Sequence, residues 1–311
     1  MPLYSGKRIF KATDVGYFVK TNPWSGDVLS VYSSVINFLH PEEYLVSLVM
    51  KESQMTVFGI KVASFFRRND KDPRKGLGDI KPGTPVRFDG KRLVVKDNCC
   101  DISDARLWKG ELSFTDIKDF DLMKAALLRK SLLAEGKKGG FLGLVHPGDD
   151  DNMFVKKARE LLDGVSIGSD SLPLVKGLSR FLGLGIGLTP SGDDFISGAL
   201  LAERILSLFS TRTKKRFFHI EREEIMKNLE KTSYVGKTLL SPALHGHFPS
   251  YLLDLSRGLA RASHLDEMIK VVRGAVSHGE TSGTDATVGL SWYLDFNFNP
   301  AADFSVQRKK L

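Results

Sequence analysis

The sequence predicts an α+β chain: a small N-terminal β domain, a barrel or a sandwich, followed by a mainly helical C-terminal domain. Three observations carry this reading. The first hundred residues hold short β-branched and aromatic runs separated by turn-forming residues. After about Leu107 the apolar residues recur at helical spacing instead. No regular strand–helix–strand alternation runs through the chain, which argues against a parallel α/β sheet. The expected domains are residues 1–105 and 106–311.

In the N-terminal part, the stretch from Val28 to Phe38 reads as β structure, Tyr44 to Met50 as a second run and Val57 to Val62 as a third. Pro85 to Phe88 and Arg92 to Val95 flank Asp89-Gly90, a pair that favours a tight type I′ hairpin because both central residues of that turn need positive φ. The only cysteines, Cys99 and Cys100, are adjacent, so they offer neither a disulfide framework nor a metal-ligand spacing and read as strand residues.

In the C-terminal part, Ile117 to Glu135 carries apolar residues at helical spacing, with acidic residues near its start and Gly136 placed to end it. Gly136-Lys137-Lys138-Gly139-Gly140 has two readings, a solvent-exposed turn or a mobile segment facing an anion. Further helices are expected at Asn152 to Leu162, Leu172 to Leu182, Gly192 to Leu208, Ile220 to Lys231, Tyr251 to Ala262, Asp266 to Ser277 and Gly283 to Tyr293. The Gly183-x-Gly185-x-Gly187 run lacks the dinucleotide-binding fingerprint and a following acidic strand end.

Composition sets the outer bounds. With 311 residues, 42% hydrophobic and 26% charged, the chain has the make-up of a soluble globular protein. It shows no secretory leader pattern and no apolar run of the ~18 residues a membrane span needs, so a cytoplasmic protein without a membrane partner is expected. The net charge of +8 comes from small scattered groups: Arg67-Arg68, Lys71 to Lys75, Lys137-Lys138, Lys214 to Arg216 and Arg308 to Lys310. With no nucleic-acid motif around them they read as solvated surface, a natural companion of small anionic substrates rather than of nucleic acid.

The chemistry concentrates in a repeated pattern. Ser191-Gly192-x-Asp194-x-x-x-Gly198 returns as Ser282-Gly283-x-Asp285-x-x-x-Gly289, each copy opening an expected helix. A helix start presents backbone N–H groups without intrahelical partners and the positive end of the dipole, a setting that suits an anion. The same spacing also fits a capping box, in which Ser and the acidic residue three positions on satisfy the first turn. Capping alone does not call for Gly185, Gly187, Thr189, Asp193 and Thr281 around the two blocks, nor for Gly198 and Gly289, which cost helix propensity unless another backbone comes close.

The candidate substrate-binding residues are therefore Gly185, Gly187, Thr189, Ser191, Gly192, Asp193, Thr281, Ser282 and Gly283. Asp194, Asp285 and His278 are the catalytic candidates. His278 suits proton transfer beside the second block, and equally suits the C-terminal end of the preceding helix. Asp193 and Asp194 suit magnesium held with a substrate phosphate, but the motif offers no third acidic ligand. His245-Gly246-His247 has a zinc-like spacing without further ligands. The sequence lacks a Gly-x-Ser-x-Gly elbow and a P-loop, which disfavours an α/β-type serine hydrolase and a P-loop nucleotidase.

Gly185-Ile186-Gly187-Leu188-Thr189-Pro190-Ser191-Gly192-Asp193-Asp194-Phe195, with the distal His278-Gly279-x-Thr281-Ser282-Gly283-x-Asp285, resembles the AllH-like family. Its members are associated with anaerobic allantoin catabolism as the third subunit of oxamate carbamoyltransferase. The resemblance implies a multi-subunit enzyme that interconverts oxalurate plus phosphate with oxamate plus carbamoyl phosphate, and partner subunits to go with it. Ile186 stands where many relatives have proline. Two functions follow as expectations: a catalytic subunit that binds carbamoyl phosphate, oxamate or phosphate at the paired helix starts, or a noncatalytic assembly subunit with the chemistry elsewhere.

Overall fold

The computed structural model describes residues 8–19, 22–63, 80–121, 123–145, 152–168, 174–214 and 216–298. Two compact units result, Met1–Gly110 and Glu111–Leu311. The basic groups at 67–68, 71–75 and 308–310 and Lys215 lie outside the described residues.

The first unit is a barrel. Its strands are β1 (Arg8–Gly16), β2 (Trp24–Val31), β3 (Val35–Leu39), β4 (Leu45–Val49), β5 (Gly59–Val62), β6 (Pro85–Phe88), β7 (Arg92–Val95) and β8 (Asn98–Asp101). They pair in the order β5-β4-β3-β2-β6-β7-β8-β1, and β1 closes the ring on β5; β9 (Arg106–Trp108) is an extra strand on the last residues of β1. Closure leaves these strands no open edge, which is what a short-stranded sheet of this kind needs. Alternation sets the inside: Ile36 and Phe38 of β3, Val86 and Phe88 of β6, and Leu93 and Val95 of β7 are buried together. Each such side chain contributes on the order of 1.5–3 kcal/mol through burial.

Two expectations are corrected here. The run from Val28 to Phe38 is two antiparallel strands, β2 and β3, with residues 32–34 at the turn. In the β6–β7 hairpin the central pair is Gly90-Lys91, not Asp89-Gly90. Asp89 pairs back to Arg92 and its carboxylate accepts the N–H groups of Lys91 (2.9 Å) and Arg92 (2.7 Å). Only Gly90 has positive φ (95°), as a type II′ turn requires at its first central residue.

The second unit is mainly helical: α1 (Met123–Glu135), α2 (Met153–Asp163), α3 (Ser191–Thr213), α4 (Arg222–Lys227), α5 (Tyr234–Leu244), α6 (Ser250–Arg261), α7 (Leu265–Val276) and α8 (Ser282–Phe298). A small sheet of β10 (Ser166–Ile167), β11 (Leu174–Lys176) and β12 (His219–Ile220) completes it. Asn152 caps α2 by accepting the N–H groups of Phe154 and Val155, and the N–H of Gly136 returns to the carbonyl of Leu132 where α1 ends.

Some helices depart from expectation. The helical reading of Leu172 to Leu182 fails: β11 and a 3₁₀ turn (Leu178–Phe181) occupy its described part, and residues 172–173 lie outside the description. Ile220 to Lys231 breaks into β12, α4 and a 3₁₀ turn, Leu229–Lys231. α1 starts later than Ile117, after a 3₁₀ turn over Phe114–Asp116. α5 was not expected at all, because Pro242 lies inside it.

α3 and α8 form the centre of this unit and are buried over most of their length. Glycines let them touch. A methyl group on Gly198 would stand 2.7 Å from the carbonyl carbon of Ala286, and one on Gly289 would stand 2.7 Å from that of Phe195. Phe195 and Ala286 hold the same place in the two copies of the motif, so the crossing is reciprocal. Below it, Phe195 stacks on Phe181 (centroids 5.0 Å) and packs against Trp292 (5.4 Å), which fixes the platform on which both helix starts rest.

Candidate functional site

Both helices begin one residue earlier than a capping box requires. Pro190 is the cap residue of α3, without a side-chain bond, and Ser191 is the first helical residue. The Pro190 carbonyl accepts the N–H groups of Asp193 (2.9 Å) and Asp194 (3.3 Å), while Gly192 donates to Leu184 O (2.7 Å). At α8 the N–H of Gly283 donates to His278 O (3.1 Å) and that of Asp285 to Thr281 O (2.9 Å). Those five backbone donors are thus engaged by the chain's own carbonyls, and the acidic side chains are left for other work. Gly192 and Gly283 are needed for packing, since a methyl group would stand 2.9 Å from the carbonyl carbon of Phe181 and 2.8 Å from that of Ala275.

The two starts meet. Thr189 Oγ1 and Ser282 Oγ share a 2.8 Å hydrogen bond across them. Asp194 and Asp285 lie inward of that bond, 5% and 0% exposed. Asp285 Oδ1 accepts the N–H of Phe141 (2.6 Å), and Lys137 reaches the same helix start twice, its N–H to Thr284 Oγ1 (3.0 Å) and its Nζ to Gly279 O (2.9 Å). The Gly136–Gly140 stretch therefore lies along the start of α8: Lys138 and Gly139 are exposed, but Gly140 is buried against the Asp285 carboxylate. From α6, the ring of Tyr251 stacks flat on His278, with centroids 3.9 Å apart and planes 8° from parallel. Asp194, Asp193, Thr189, Ser197, Gly236, Leu239, Leu240, Pro249 and Tyr251 line a narrow cleft.

Electrostatics follow from burial. Desolvation, with the Asp285 charge next in size, holds the Asp194 carboxyl well above the usual carboxylate range; the Ser282 and Thr189 hydroxyls offset part of this. Asp194 Oδ2 is buried without a hydrogen-bond partner. Burial and then the charges of Asp194 and Asp285 raise the Tyr251 phenol well above its ordinary value, so it stays a neutral O–H donor. Burial and the nearby Lys137 charge push His278 down to about 4, which leaves a neutral imidazole at pH 7.

Of the residues expected from sequence, the structure brings Thr189, Asp194, Ser282, Asp285 and His278 to one place. Asp193 accepts the N–H of Gly183 (2.9 Å) and the hydroxyl of Thr232, so it ties down the glycine loop. Ser191, Gly192 and Gly283 are buried in the helix starts, and Thr281 lies beside Gly139. Gly185 and Gly187 have φ of 123° and 96°, which shape the loop before α3, whose Ile186 is 73% exposed. His245 and His247 are apart from this cluster in their bonding: His245 Nδ1 lies 2.9 Å from Ser241 O, and His247 Nδ1 lies 3.8 Å from Glu111. Among the described residues no group of three or more His, Cys, Asp or Glu is placed to hold a metal ion.

Tyr251, Phe141 and Thr284 are not among the residues expected from sequence, whereas Lys137 and Gly140 belong to the Gly136–Gly140 stretch, whose two readings are an exposed turn and a segment facing an anion. A signal for Tyr251 was present: Pro249-Ser250 opens α6 as Pro190-Ser191 opens α3, with proline as cap and serine as first helical residue.

Comparison with known proteins agrees with this layout. A family profile described as oxamate carbamoyltransferase subunit AllH matches residues 181–294, and one described as the AllH family N-terminal domain matches residues 8–107. No solved structure matches the chain. Among the described residues no helix is long and apolar enough to cross a membrane.

Proposed function

The chain belongs to the AllH family, and from that premise we propose that it works as a catalytic subunit of an oxamate carbamoyltransferase, with substrate held at the paired starts of α3 and α8. The observation that carries this reading is the joining of two matching helix starts, by the Thr189–Ser282 bond, over the buried Asp194 and Asp285. A fold that needed only caps would not keep these two carboxylates dry and close enough to raise one of them.

The reaction that fits the family description joins oxamate and carbamoyl phosphate. The oxamate amide nitrogen attacks the carbamoyl carbon, the bond from that carbon to the phosphate oxygen breaks, phosphate leaves with the electron pair, and the nitrogen gives up a proton. In this reading neutral His278 takes the proton, as an unprotonated imidazole at pH 7 is able to do. Its stacking on Tyr251 fixes the ring. Thr189 and Ser282 supply hydroxyls toward the developing oxyanion, and Asp194 and Asp285 orient the reacting amide. The same chemistry would place the chain in anaerobic allantoin breakdown, beside other subunits of the enzyme.

One observation favours the noncatalytic reading: five backbone donors at the two helix starts, those of Gly192, Asp193, Asp194, Gly283 and Asp285, are engaged by the chain itself. The test uses the assembled enzyme. Asp194→Asn and Asp285→Asn should each lower turnover more than about a hundredfold, the scale of lost transition-state stabilisation, while native mass measurements show the assembly intact. Near-normal turnover in both intact assemblies would leave this chain an assembly role only.

A further inference from the structure

We infer that the cleft at Asp194 is a subsite for a primary amide, reading the N–H2 end of the substrate and turning phosphate away. The inference rests on the catalytic reading above and assigns which end of the reacting molecules lies there.

Three features of the site oppose an anion. Two buried carboxylates, Asp194 and Asp285, lie at the helix starts. The N–H groups of Gly192, Asp193, Asp194, Gly283 and Asp285 already donate to carbonyls of the chain. Lys137, the cation that bears on His278, gives its Nζ to Gly279 O.

The site does have an acceptor waiting. Asp194 is 5% exposed and lines the cleft, and its Oδ2 has no hydrogen-bond partner. A buried acceptor left in that state costs about 1–3 kcal/mol, so something that donates should complete it. A metal ion is poorly served, because Asp193, the remaining carboxylate of the cleft, is tied to Gly183 and Thr232, and among the described residues no group of three or more His, Cys, Asp or Glu is placed to hold one. A primary amide answers the site better: it is uncharged, it offers two N–H donors on one nitrogen, and its carbonyl oxygen accepts from hydroxyls such as those of Thr189, Ser282 and Tyr251. Oxamate and the carbamoyl group both carry such an N–H2.

Oxamate and oxalate form the discriminating pair, since they differ only by N–H2 against a carboxylate oxygen. The experiment measures their equilibrium binding to the assembled enzyme by calorimetry, with and without inorganic phosphate, and also titrates phosphate alone and Mg²⁺ alone. Oxamate should bind at least about a hundredfold more tightly than oxalate, because a site built for a donor leaves its buried acceptor unpaired against the analogue lacking it. Asp194→Asn should remove most of that preference and change phosphate affinity by less than about threefold.

Oxalate binding within tenfold of oxamate overturns the inference with no variant needed. So does a tenfold rise in phosphate affinity on Asp194→Asn, which would put phosphate against this carboxylate, or Mg²⁺ binding that the same substitution abolishes. If Asp194→Asn destroys turnover while the oxamate preference is missing, the amide subsite alone falls. If turnover is normal, the catalytic reading falls with it.

Discussion

Replacing Gly198 by alanine tests the helix crossing on which the site depends. The added methyl carbon would stand 2.7 Å from the carbonyl carbon of Ala286 and 2.9 Å from the nitrogen of Leu290, with the Ala286 oxygen closer still. Carbon atoms rest about 3.5–4.0 Å apart, so α3 and α8 must separate by roughly 0.8 Å or more along a contact made of backbone, which has no flexible end to swing aside. Overpacking of this kind costs about 1–3 kcal/mol and more when the neighbours are rigid, against a gain of about 1 kcal/mol in helix propensity. The net expectation is a loss of about 2 kcal/mol. Gly274→Ala in α7 is the matched control: a methyl group there meets nothing within 4 Å, so the same exchange should stabilise by up to about 1 kcal/mol. Urea unfolding followed by far-ultraviolet circular dichroism, which reports mainly the helical unit, measures both. Equal and opposite-to-expected outcomes are easy to read: if Gly198→Ala is as stable as Gly274→Ala, the close crossing is wrong.

Further expectations concern the site itself. His278, pushed down to about 4 from 6.5, refuses a proton that the unfolded chain accepts, so its contribution to stability falls as pH drops from 6.5 towards 4, by about 3 kcal/mol in full. Asp194 acts the other way, since its raised carboxyl takes a proton more readily when folded; its unfavourable effect at neutral pH is relieved on acidification. Stability of His278→Gln minus wild type, followed over pH 4–7, should therefore rise towards acid, and a flat difference contradicts the buried neutral imidazole. Asp193→Ala should cost about 2–3 kcal/mol, because it strips the Gly183 N–H and the Thr232 hydroxyl of their acceptor, while Asp194→Asn should leave stability unchanged or raise it by up to about 1 kcal/mol. Thermal unfolding of the two side by side checks the contrast, and equal losses would mean that Asp194 is structural. Gly140→Ala should lower kcat/KM by roughly 10- to 100-fold, the scale of a displaced catalytic group, since its methyl would stand 2.7 Å from the Asp285 carboxyl carbon; unchanged kinetics would detach that loop from the site.

The barrel was legible in kind because alternation in β6 and β7 and the short runs of β4 and β5 are local signals. β1 was not, since Lys11, Thr13 and Asp14 interrupt its apolar residues and its role in closing the ring depends on partners far away in sequence. In the helical unit, α3 and α8 were visible through the repeated block. α5 was hidden by Pro242, and β11 by apolar residues whose spacing fits either state. At the site, the pairing of Thr189, Asp194, Ser282 and Asp285 could be read from one motif matching another. Phe141 and Thr284 could not, because each enters through a main-chain or hydroxyl bond that leaves no mark on residue type. The capping box was a local rule overridden by the loop before α3, which places proline at the cap.

The distance along the chain between α3 and α8 bears on how the protein folds. Their starts are about 90 residues apart, and the closure entropy of so long a loop is met before any reciprocal contact at Gly198 and Gly289 forms. α4 to α7 are each built on short-range bonds, whereas the meeting of the Thr189 and Ser282 hydroxyls over Asp194 and Asp285 needs both α3 and α8 in place. On the proposed reading the substrate site needs both helices, so a molecule shortened before α8 has no partial version of it.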